Sequence, residues 1–410
     1  MTELTDTNAG SPPRVLFTAF RANAYGAPKM MLHYVEALRA AGHDVTIAYQ
    51  NEPDMTSPDS TGTVLPAARE AGAKTVQVAR LSSAFIPGRC PQVEELARQA
   101  DVVINSQIRD FVSAAAVARR TGKPCVLFCQ NRPDFKGIFP IRQIKQSLYR
   151  RALGQWASRG VCVGPGLKQH LVQDVGIPAD RLQVIPNGFD LSTFPAPSDT
   201  VRQDVRREFG VQEGERLLIA VGRVHRQKGP DVTVDALCRL SKMPDVPPVK
   251  VLFVGGAITP EQKQLKTRLE ETLTEAGIRD RMIFAGFRDD IARLLQGSDL
   301  FLLTCRWEGF FPVAAQEACA ARLPVAITDF GEKFPGFVDG RDGWYLPLDD
   351  GAGVADKVAD VLRMPADELA AVGQAGYDYL RENLSLDRGK AQFVQMVNDV
   401  AAEGPRGGGE

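Results

Sequence analysis

Residues 14–49 of this 410-residue chain read RVLFTAFRANAYGAPKMMLHYVEALRAAGHDVTIAY. The run Arg14–Phe20 is apolar and bounded by polar residues, which predicts a buried strand. A helical pattern of apolar residues follows, ended by Gly42, and Asp44–Tyr49 predicts a second strand. Continuous apolar strands joined by helices are typical of a parallel sheet covered on both faces.

The same alternation begins again near Arg216. Further strands are predicted at Leu217–Val221, Lys250–Val254, Met282–Ala285, Asp299–Leu303 and Pro324–Thr328. We therefore predict an α/β protein of two Rossmann-like, doubly wound domains that face each other across a cleft. Ligands of such sheets bind at the carboxyl ends of the strands, so the loops that follow the strands are the candidate site.

The domain limits follow from the composition of the segments. The predicted first domain is residues 14–191, and the predicted second domain is residues 205–384. The polar, proline-rich stretch Ser192–Asp204 is the predicted linker. An amphipathic helix over residues 385–402 is expected to pack back on the first domain.

Composition and charge exclude several classes of protein. The net charge of −1 argues against nucleic acid as a partner. Seven scattered cysteines form no Cys-x-x-Cys pair, so a reduced protein without structural zinc is expected. No segment reaches the roughly 18 apolar residues of a membrane span, and the polar stretch Met1–Pro13 predicts no signal peptide. We therefore expect a cytoplasmic protein.

Candidate ligand-binding groups are concentrated in residues 307–326, WEGFFPVAAQEACAARLPVA. Glu308 and Glu317 flank a Gly-aromatic-Pro turn, and Pro312 suits the first turn of a helix. The start of a helix presents unpaired N–H groups that favour anions, and glycine lets a ligand approach the backbone closely. Carboxylates beside an anion site are suited to neutral hydroxyls. The segment therefore indicates a sugar held beside a phosphate.

Four segments, taken together, resemble motifs of the retaining glycosyltransferases of family 4. They are VIPNGFD (184–190), VGRVHRQKG (221–229), FAGFRDD (284–290) and EACAARLPV (317–325). The resemblance extends roughly from Arg14 to Ala401. It implies the GT-B fold, with an acceptor-binding first domain and a second domain that binds a nucleotide-sugar donor.

The resemblance assigns the donor diphosphate to Arg223 and Lys228. Both follow the first predicted strand of the second domain, where Arg binds phosphate by its planar fork and Lys as a point charge. They would also stabilise the negative charge of the departing nucleoside diphosphate. The alternative is a solvated basic loop, since Arg226 lies between them.

By the same resemblance Glu317 is the candidate for the nucleotide ribose, with an exposed helix glutamate as the alternative. Glu308 is the candidate ligand of the donor sugar. The family separates its two acidic residues by eight positions, whereas here the separation is nine, with Gln316 at the eighth. Glu308 could therefore be a purely structural acid. If it keeps its role, the backbone of Gly309-Phe310-Phe311 would cover the sugar and α-phosphate.

Three more positions complete the predicted site. Gly26 lies where the family often has paired glycines, and it would let backbone N–H groups approach the donor, unless it belongs to an ordinary turn. Gln130, next to Asn131, stands where many members carry histidine, and it could bind a donor or acceptor hydroxyl but could not act as a base. Phe287 could offer its backbone to the base, or its side chain could belong to the core.

Residues 136–153 form a basic amphipathic segment with five Lys or Arg residues and no acidic residue. Such a segment can lie on an anionic membrane surface. A helix that packs on a sheet has the same pattern, and this second interpretation is favoured here. Peripheral contact with the inner face of the membrane is the alternative.

The resemblance to family 4 implies a retaining hexosyltransferase that uses a UDP-, GDP- or ADP-sugar and a hydroxyl acceptor, which would be a glycan, a lipid-linked sugar or a small molecule. No metal is expected to be essential, because Asp289-Asp290 is predicted to open a helix. Two alternatives stay open. One is a nucleotide-sugar epimerase or hydrolase of the same fold, and the other is a non-catalytic nucleotide-binding relative.

Overall fold

The computed structural model describes residues 11–23, 27–51, 62–79, 81, 90–107, 110–130, 132–133, 135, 139–308, 310–331 and 334–405. The chain divides into two compact units. Met1–Gly188 and Leu386–Glu410 form the first unit, and Phe189–Ser385 forms the second.

The first unit contains a seven-stranded parallel sheet with the strand order β3-β2-β1-β4-β5-β6-β7. Its strands are β1 (Val15–Arg21), β2 (Val45–Asn51), β3 (Lys74–Gln77), β4 (Val102–Asn105), β5 (Cys125–Cys129), β6 (Arg159–Cys162) and β7 (Leu182–Val184). Its helices are α1 (Ala27–Ala40), α2 (Leu65–Glu70), α3 (Pro91–Gln99), α4 (Phe111–Thr121), α5 (Ile141–Arg151), α6 (Pro165–His170) and, at the end of the chain, α14 (Leu386–Glu403).

The second unit contains a six-stranded parallel sheet with the order β10-β9-β8-β11-β12-β13. Its strands are β8 (Arg216–Val221), β9 (Val249–Val254), β10 (Met282–Gly286), β11 (Leu300–Leu303), β12 (Val325–Thr328) and β13 (Trp344–Leu346). Its helices are α7 (Asp199–Glu208), α8 (Pro230–Leu240), α9 (Pro260–Glu275), α10 (Ile291–Gly297), α11 (Val313–Ala320), α12 (Gly351–Leu362) and α13 (Ala366–Asn383).

The prediction of an α/β protein with two doubly wound, Rossmann-like domains is confirmed. Each sheet reverses its strand order once, between β1 and β4 in the first unit and between β8 and β11 in the second. Chains leave two neighbouring strands in opposite directions at such a point, which opens a crevice beyond their carboxyl ends. The turns that follow β8 and β11 are therefore the first place to look for a ligand site in the second unit.

The stretch Ser192–Asp204, predicted as a linker, has a different structure. Its second half begins α7, whose N-cap is Ser198. Arg202 and Arg206 of this helix donate to the buried carboxylate of Asp299 at 2.5 and 2.9 Å. The polar composition is misleading because these charges are paired with a buried acid, so the helix is part of the second unit.

The terminal helix α14 packs in the core of the first unit. The ring of Phe393 lies 4.1 Å from that of Tyr34 on α1 and 6.4 Å from that of Phe17 on β1, measured between centroids. All three side chains are fully buried. The helix therefore covers one face of the first sheet, although about 200 residues separate it in sequence from β7.

A buried carboxyl group lies at the switch point of the first sheet. Asp110 is the residue before α4, its side chain is buried, and neither of its carboxylate oxygens has a hydrogen-bond partner. Burial raises the pKa of Asp110 to about 7, against the smaller opposing effect of nearby Thr18 and Asn105. The folded state therefore favours the neutral acid.

Replacement of Asp110 by Asn is expected to stabilise the protein at pH 8. A folded-state pKa above the unfolded value of about 3.9 means that wild-type stability falls as pH rises from about 4 to about 7. The neutral amide removes that loss, so the gain in Tm of Asp110→Asn should shrink as pH is lowered from 8 to 4. Thermal unfolding followed by circular dichroism measures it, with exposed Asp280→Asn as control. A gain that does not change with pH would contradict the assignment.

Candidate functional site

The turn after β8 carries the predicted phosphate-binding cations. Residues 226–228 form a single 3₁₀ turn, and Nδ1 of His225 accepts a hydrogen bond from the Gln227 amide at 3.1 Å. The aliphatic stem of Lys228 lies across Gly222, where an added Cβ would come within 3.0 Å of the lysine Cγ. A glycine at 222 therefore gives the lysine side chain its path along the turn.

Gly229 ends this turn in close contact with the end of β11. Its φ is +64°, and an added Cβ would lie 2.0 Å from the carbonyl oxygen of Thr304. Thr304 is the residue after β11, and its Oγ1 donates to the Gly229 carbonyl at 2.7 Å. The same Oγ1 lies 2.8 Å from Oγ1 of Thr233, within hydrogen-bond distance. The turns that leave the two switch-point strands are thus joined by buried hydrogen bonds.

Arg306 strengthens the same junction. Its guanidinium donates to the carbonyl of Arg226 at 2.7 Å, to both carboxylate oxygens of Asp231 at 3.0 and 2.7 Å, and to Asp349. Burial acts to raise the pKa of Asp231, but the hydrogen bond and charge of Arg306 outweigh it, and the pKa lies below its ordinary value. Thr304 and Arg306 are marked by no motif, and their position directly after a strand at the sheet centre is the signal that the sequence offers for them.

Two of the predicted catalytic residues meet at this junction. The ammonium group of Lys228 donates to the carboxylate of Glu308, and each side chain is 18% exposed. Cys305 lies beside them, and burial together with the charge of Glu308 raises its pKa to about 12, so this thiol stays protonated. Arg223 lies on the same turn but is exposed, and within the part of the chain that the structure describes its side chain has no ion pair.

The extra residue between the two acidic positions has a structural role. Gln316, eight positions after Glu308, is buried, and its Nε2 donates to the Phe311 carbonyl at 2.9 Å. Glu317 is the half-buried side chain of α11 that follows it. Because Gln316 holds the turn from inside, Glu317 remains the candidate carboxylate of this helix.

Phe310 and Phe311 anchor the segment by their side chains. Both rings are buried and pack against the ring of Phe334, with centroids 5.7 and 4.6 Å away. The surrounding aromatic cluster also contains Phe330, Phe337, Tyr345 and Tyr379. The rings of Phe310 and Phe311 are therefore engaged in the core, which leaves their backbone groups for the predicted ligand contact, and Gly309 lies outside the described residues.

A cavity of about 350 Å³ opens at the carboxyl ends of β9 and β10. It is lined by Val224, Gly255, Ala257, Lys263, Lys266, Thr267, Glu270, Phe284 and Gly286. Phe287 follows this lining, and its side chain is 83% exposed, so the alternative that it belongs to the core is wrong. Sequence reasoning missed the two lysines, which α9 places at the cavity and which no motif marks.

The remaining predicted positions belong to the first unit. Gln130 directly follows β5, and its Nε2 makes a long hydrogen bond of 3.5 Å to the Ser106 carbonyl, after β4. Gly26 and Asn131 lie outside the described residues. Gln130 is therefore near the switch point of the first sheet, at the edge where the fold places ligands.

The acidic pair Asp289-Asp290 opens α10, as predicted. Asp290 accepts hydrogen bonds from Arg288 at 2.8 and 2.7 Å and from Arg293 at 3.1 Å, and the Arg288 hydrogen bond is the main cause that lowers its pKa to about 2. Within the described ranges, no group of three or more His, Cys, Asp or Glu side chains is arranged to hold a metal. In the same ranges, no helix combines the length and apolar character needed to cross a bilayer.

Two family models match the chain and together cover most of its length. The model described as Glycosyltransferase Family 4 matches residues 25–193, and the model described as Glycosyl transferases group 1 matches residues 201–379. Their boundary falls close to the division between the two structural units.

Curated relatives match mainly over part of their length. A mannosylfructose-phosphate synthase of Agrobacterium fabrum is 32% identical over 44% of this chain and 39% of its own. The lipopolysaccharide core biosynthesis mannosyltransferase LpsB of Rhizobium meliloti is 29% identical over 52% and 59%. The matched stretches thus span less than two thirds of these relatives.

Solved structures share the fold over nearly the whole chain. Anabaena HepE, solved in complex with UDP, has a TM-score of 0.79 and 17% identity, with 94% of this chain and 100% of that chain covered. WaaG, a glycosyltransferase involved in lipopolysaccharide biosynthesis, has a TM-score of 0.65 and 17% identity, with 93% and 99% covered. At this identity the likeness establishes the fold.

Gly229→Ala is expected to disrupt the junction between the two turns. A left-handed backbone at alanine costs about 1–2 kcal/mol in any context, and here the methyl group also collides with the Thr304 carbonyl. Gly277→Ala is the matched control, because Gly277 has a φ of +72° with no atom within 4 Å of an added Cβ. Urea unfolding should show a clearly larger loss of stability for Gly229→Ala. Equal losses would contradict the close contact.

Proposed function

The chain belongs to the glycosyltransferases of group 1 and family 4, and on that premise we propose that it is a retaining hexosyltransferase. It takes a hexosyl unit from a nucleoside diphosphate sugar and transfers it to a hydroxyl acceptor. The observation that carries the proposal is the contact of Lys228 with Glu308 where β8 and β11 diverge. A cation and a carboxylate held together there provide partners for a phosphate and a sugar hydroxyl.

The donor nucleotide is assigned to the second unit. Arg223, exposed on the turn, and Lys228 bind the diphosphate, the first by its planar fork and the second as a point charge. Glu317 accepts hydrogen bonds from the ribose hydroxyls, each worth about 1.5–3 kcal/mol. The base occupies the cavity of about 350 Å³ beside Phe287, whose backbone serves as its partner. The complex of Anabaena HepE with UDP supports this class of donor.

The donor sugar is assigned to Glu308 and to the backbone of Gly309-Phe310-Phe311. When a diphosphate approaches Lys228, it competes with Glu308 for the ammonium group, and the freed carboxylate accepts from the sugar hydroxyls. The bond between the anomeric carbon and the phosphate oxygen breaks, with Arg223 and Lys228 stabilising the negative charge that develops on the leaving diphosphate. The acceptor oxygen bonds to the same face of the carbon and passes its proton to the departing phosphate oxygen.

The acceptor side is assigned to the first unit. Gln130 and Asn131 bind hydroxyl groups of the acceptor or of the transferred sugar, and Gln130 cannot act as a base. The backbone at Gly26 approaches the donor. The acceptor itself is proposed only as a hydroxyl compound, which would be a glycan, a lipid-linked sugar or a small molecule.

We propose further that the reaction needs no metal ion. Two protein cations on one turn supply the charge that a metal would otherwise supply to a leaving diphosphate. In the acidic pair Asp289-Asp290, the carboxylate of Asp290 is held by Arg288 and Arg293. We expect the protein in the cytoplasm, where its nucleotide-sugar donor would be available in solution.

Nucleotide binding is expected to stabilise the protein against heat. A nucleotide at about 100 times its Kd adds roughly 2.7 kcal/mol to the free energy of unfolding. One of UDP, GDP or ADP should raise Tm in wild type, and the shift should be lost in Glu317→Gln. Glu368→Gln on α13 is a control with an exposed helix glutamate. If none of the three raises Tm at millimolar concentration, the assigned donor site is wrong.

Transfer is expected to depend on the two cations of the turn. Loss of one stabilising group at a developing anion typically lowers kcat by about 10²–10³, so Arg223→Gln and Lys228→Gln should each do so. Arg226→Gln, an exposed cation of the same turn, should keep wild-type activity. NMR of the product should show the anomeric configuration of the donor. Turnover of the nucleotide sugar at the same rate without acceptor would instead identify an epimerase or hydrolase.

A further inference from the structure

The first unit presents an exposed apolar ridge at the start of α5, with Phe139 just before the helix and Ile141 and Ile144 on it. Phe139 is 74% exposed, Ile141 is 49% exposed and Ile144 is 56% exposed. Among the described residues of this unit, these three are the exposed large hydrophobic side chains, and they lie within six positions of one another. Their clustering distinguishes them from scattered surface hydrophobics, which need no explanation.

The ridge lies in a strongly basic part of a chain whose net charge is −1. Residues 135–173 contain seven Lys or Arg residues and no Asp or Glu. At 100° per residue, Ile141 and Ile144 share one side of the helix, with Arg151 at one border of that side and Lys145 at the other. In the part of the chain that the structure describes, the side chains of Arg142 and Arg151 have no ion pair.

Another side of α5 is fixed to the core. Tyr149 is fully buried, and its ring stacks on that of Phe111 at 4.6 Å between centroids with an interplanar angle of 3°. Because this aromatic pair anchors the helix, the ridge and its basic borders are held in place on the surface. Tyr149 is therefore the apolar residue by which α5 packs on the core. Packing on the core does not explain why the apolar side chains of Ile141 and Ile144 are exposed.

A polar cavity of about 550 Å³ borders the ridge on the side of Arg151. Its lining includes Gln143, Gln146, Arg150 and Arg151, and the guanidinium of Arg150 lies over Gly176. Two guanidinium groups with amide donors suit a phosphate ester. The apolar ridge and the polar cavity lie on adjacent sides of one helix. A helix that lies on an anionic bilayer places its apolar side against the acyl chains and its basic side against the lipid phosphates.

From these observations we propose that α5 is a docking surface for a bilayer that contains anionic phospholipids. Phe139, Ile141 and Ile144 enter the boundary of the acyl chains, and the arginines bind lipid phosphates. A protein partner is disfavoured because three apolar side chains cover far less than the roughly 1,000 Å² expected of a specific interface. The inference goes beyond the proposed reaction and does not depend on it.

Cosedimentation of the full chain with lipid vesicles tests the proposal. Wild type should bind vesicles that contain phosphatidylglycerol, should bind phosphatidylcholine vesicles weakly, and should be released as salt rises. Ile144→Ser/Arg151→Gln should lower the apparent affinity at least about tenfold. The matched control, Lys242→Gln/Val338→Ser, removes an exposed base and an exposed aliphatic from the second unit and should leave binding unchanged.

Two results would overturn the proposal. One is wild-type protein that stays in the supernatant with anionic vesicles at low salt, which would leave the surface to a soluble partner. The other is equal vesicle binding by the α5 variant and its control. Both variants should have the wild-type Tm, and nucleotide should raise that Tm as it does in wild type. These two measurements distinguish loss of membrane docking from loss of folding or of the donor site.

Discussion

The second unit depends on the junction between the turn after β8 and the segment after β11. Thr304 bonds to the Gly229 carbonyl, and Arg306 reaches Arg226 and Asp231. These contacts are short, and the Thr304 bond is buried, so they fix where Lys228 and Glu308 meet. An exposed ion pair between two independent loops contributes little. Here the backbone on both sides is fixed first, so the pair is oriented by the fold and is available to a ligand.

The same contacts divide the side chains of this region into an inner and an outer set. Side chains that hold the segment 304–317 are turned inward: Arg306 to its carboxylates, Phe310 and Phe311 to an aromatic cluster, and Gln316 to the Phe311 carbonyl. Arg223 is turned outward and Glu317 is half-buried. A rigid inner set thus supports an outer set of charged groups, an arrangement suited to a site that must be organised before its ligand arrives.

The first unit divides its chemistry in another way. The buried carboxyl group of Asp110 and the amide of Gln130 lie at its switch point. Its basic side chains are concentrated on α5, which contains no acidic residue. The amide of Gln130 suits hydroxyl compounds, and a basic, apolar helix suits a lipid surface. If both proposals hold, this unit would bring the enzyme to a membrane while the second unit holds a soluble donor.

The sequence by itself determined the α/β class, the two parallel sheets and the strand after which each candidate residue falls, because alternating apolar strands and helices are local patterns. It also placed Lys228 and Glu308 in the segments that follow β8 and β11, and Glu317 on the helix that follows Pro312. Only the tertiary structure decided that Lys228 touches Glu308 and that Gln316 faces inward. It also made α7 part of the second unit and left Ile141 and Ile144 exposed. Each of these depends on partners distant in sequence, such as Thr304 for Gly229, Asp299 for Arg202 and Phe111 for Tyr149. Contacts of this kind follow from the order of strands in a sheet, which spacing along the chain does not encode.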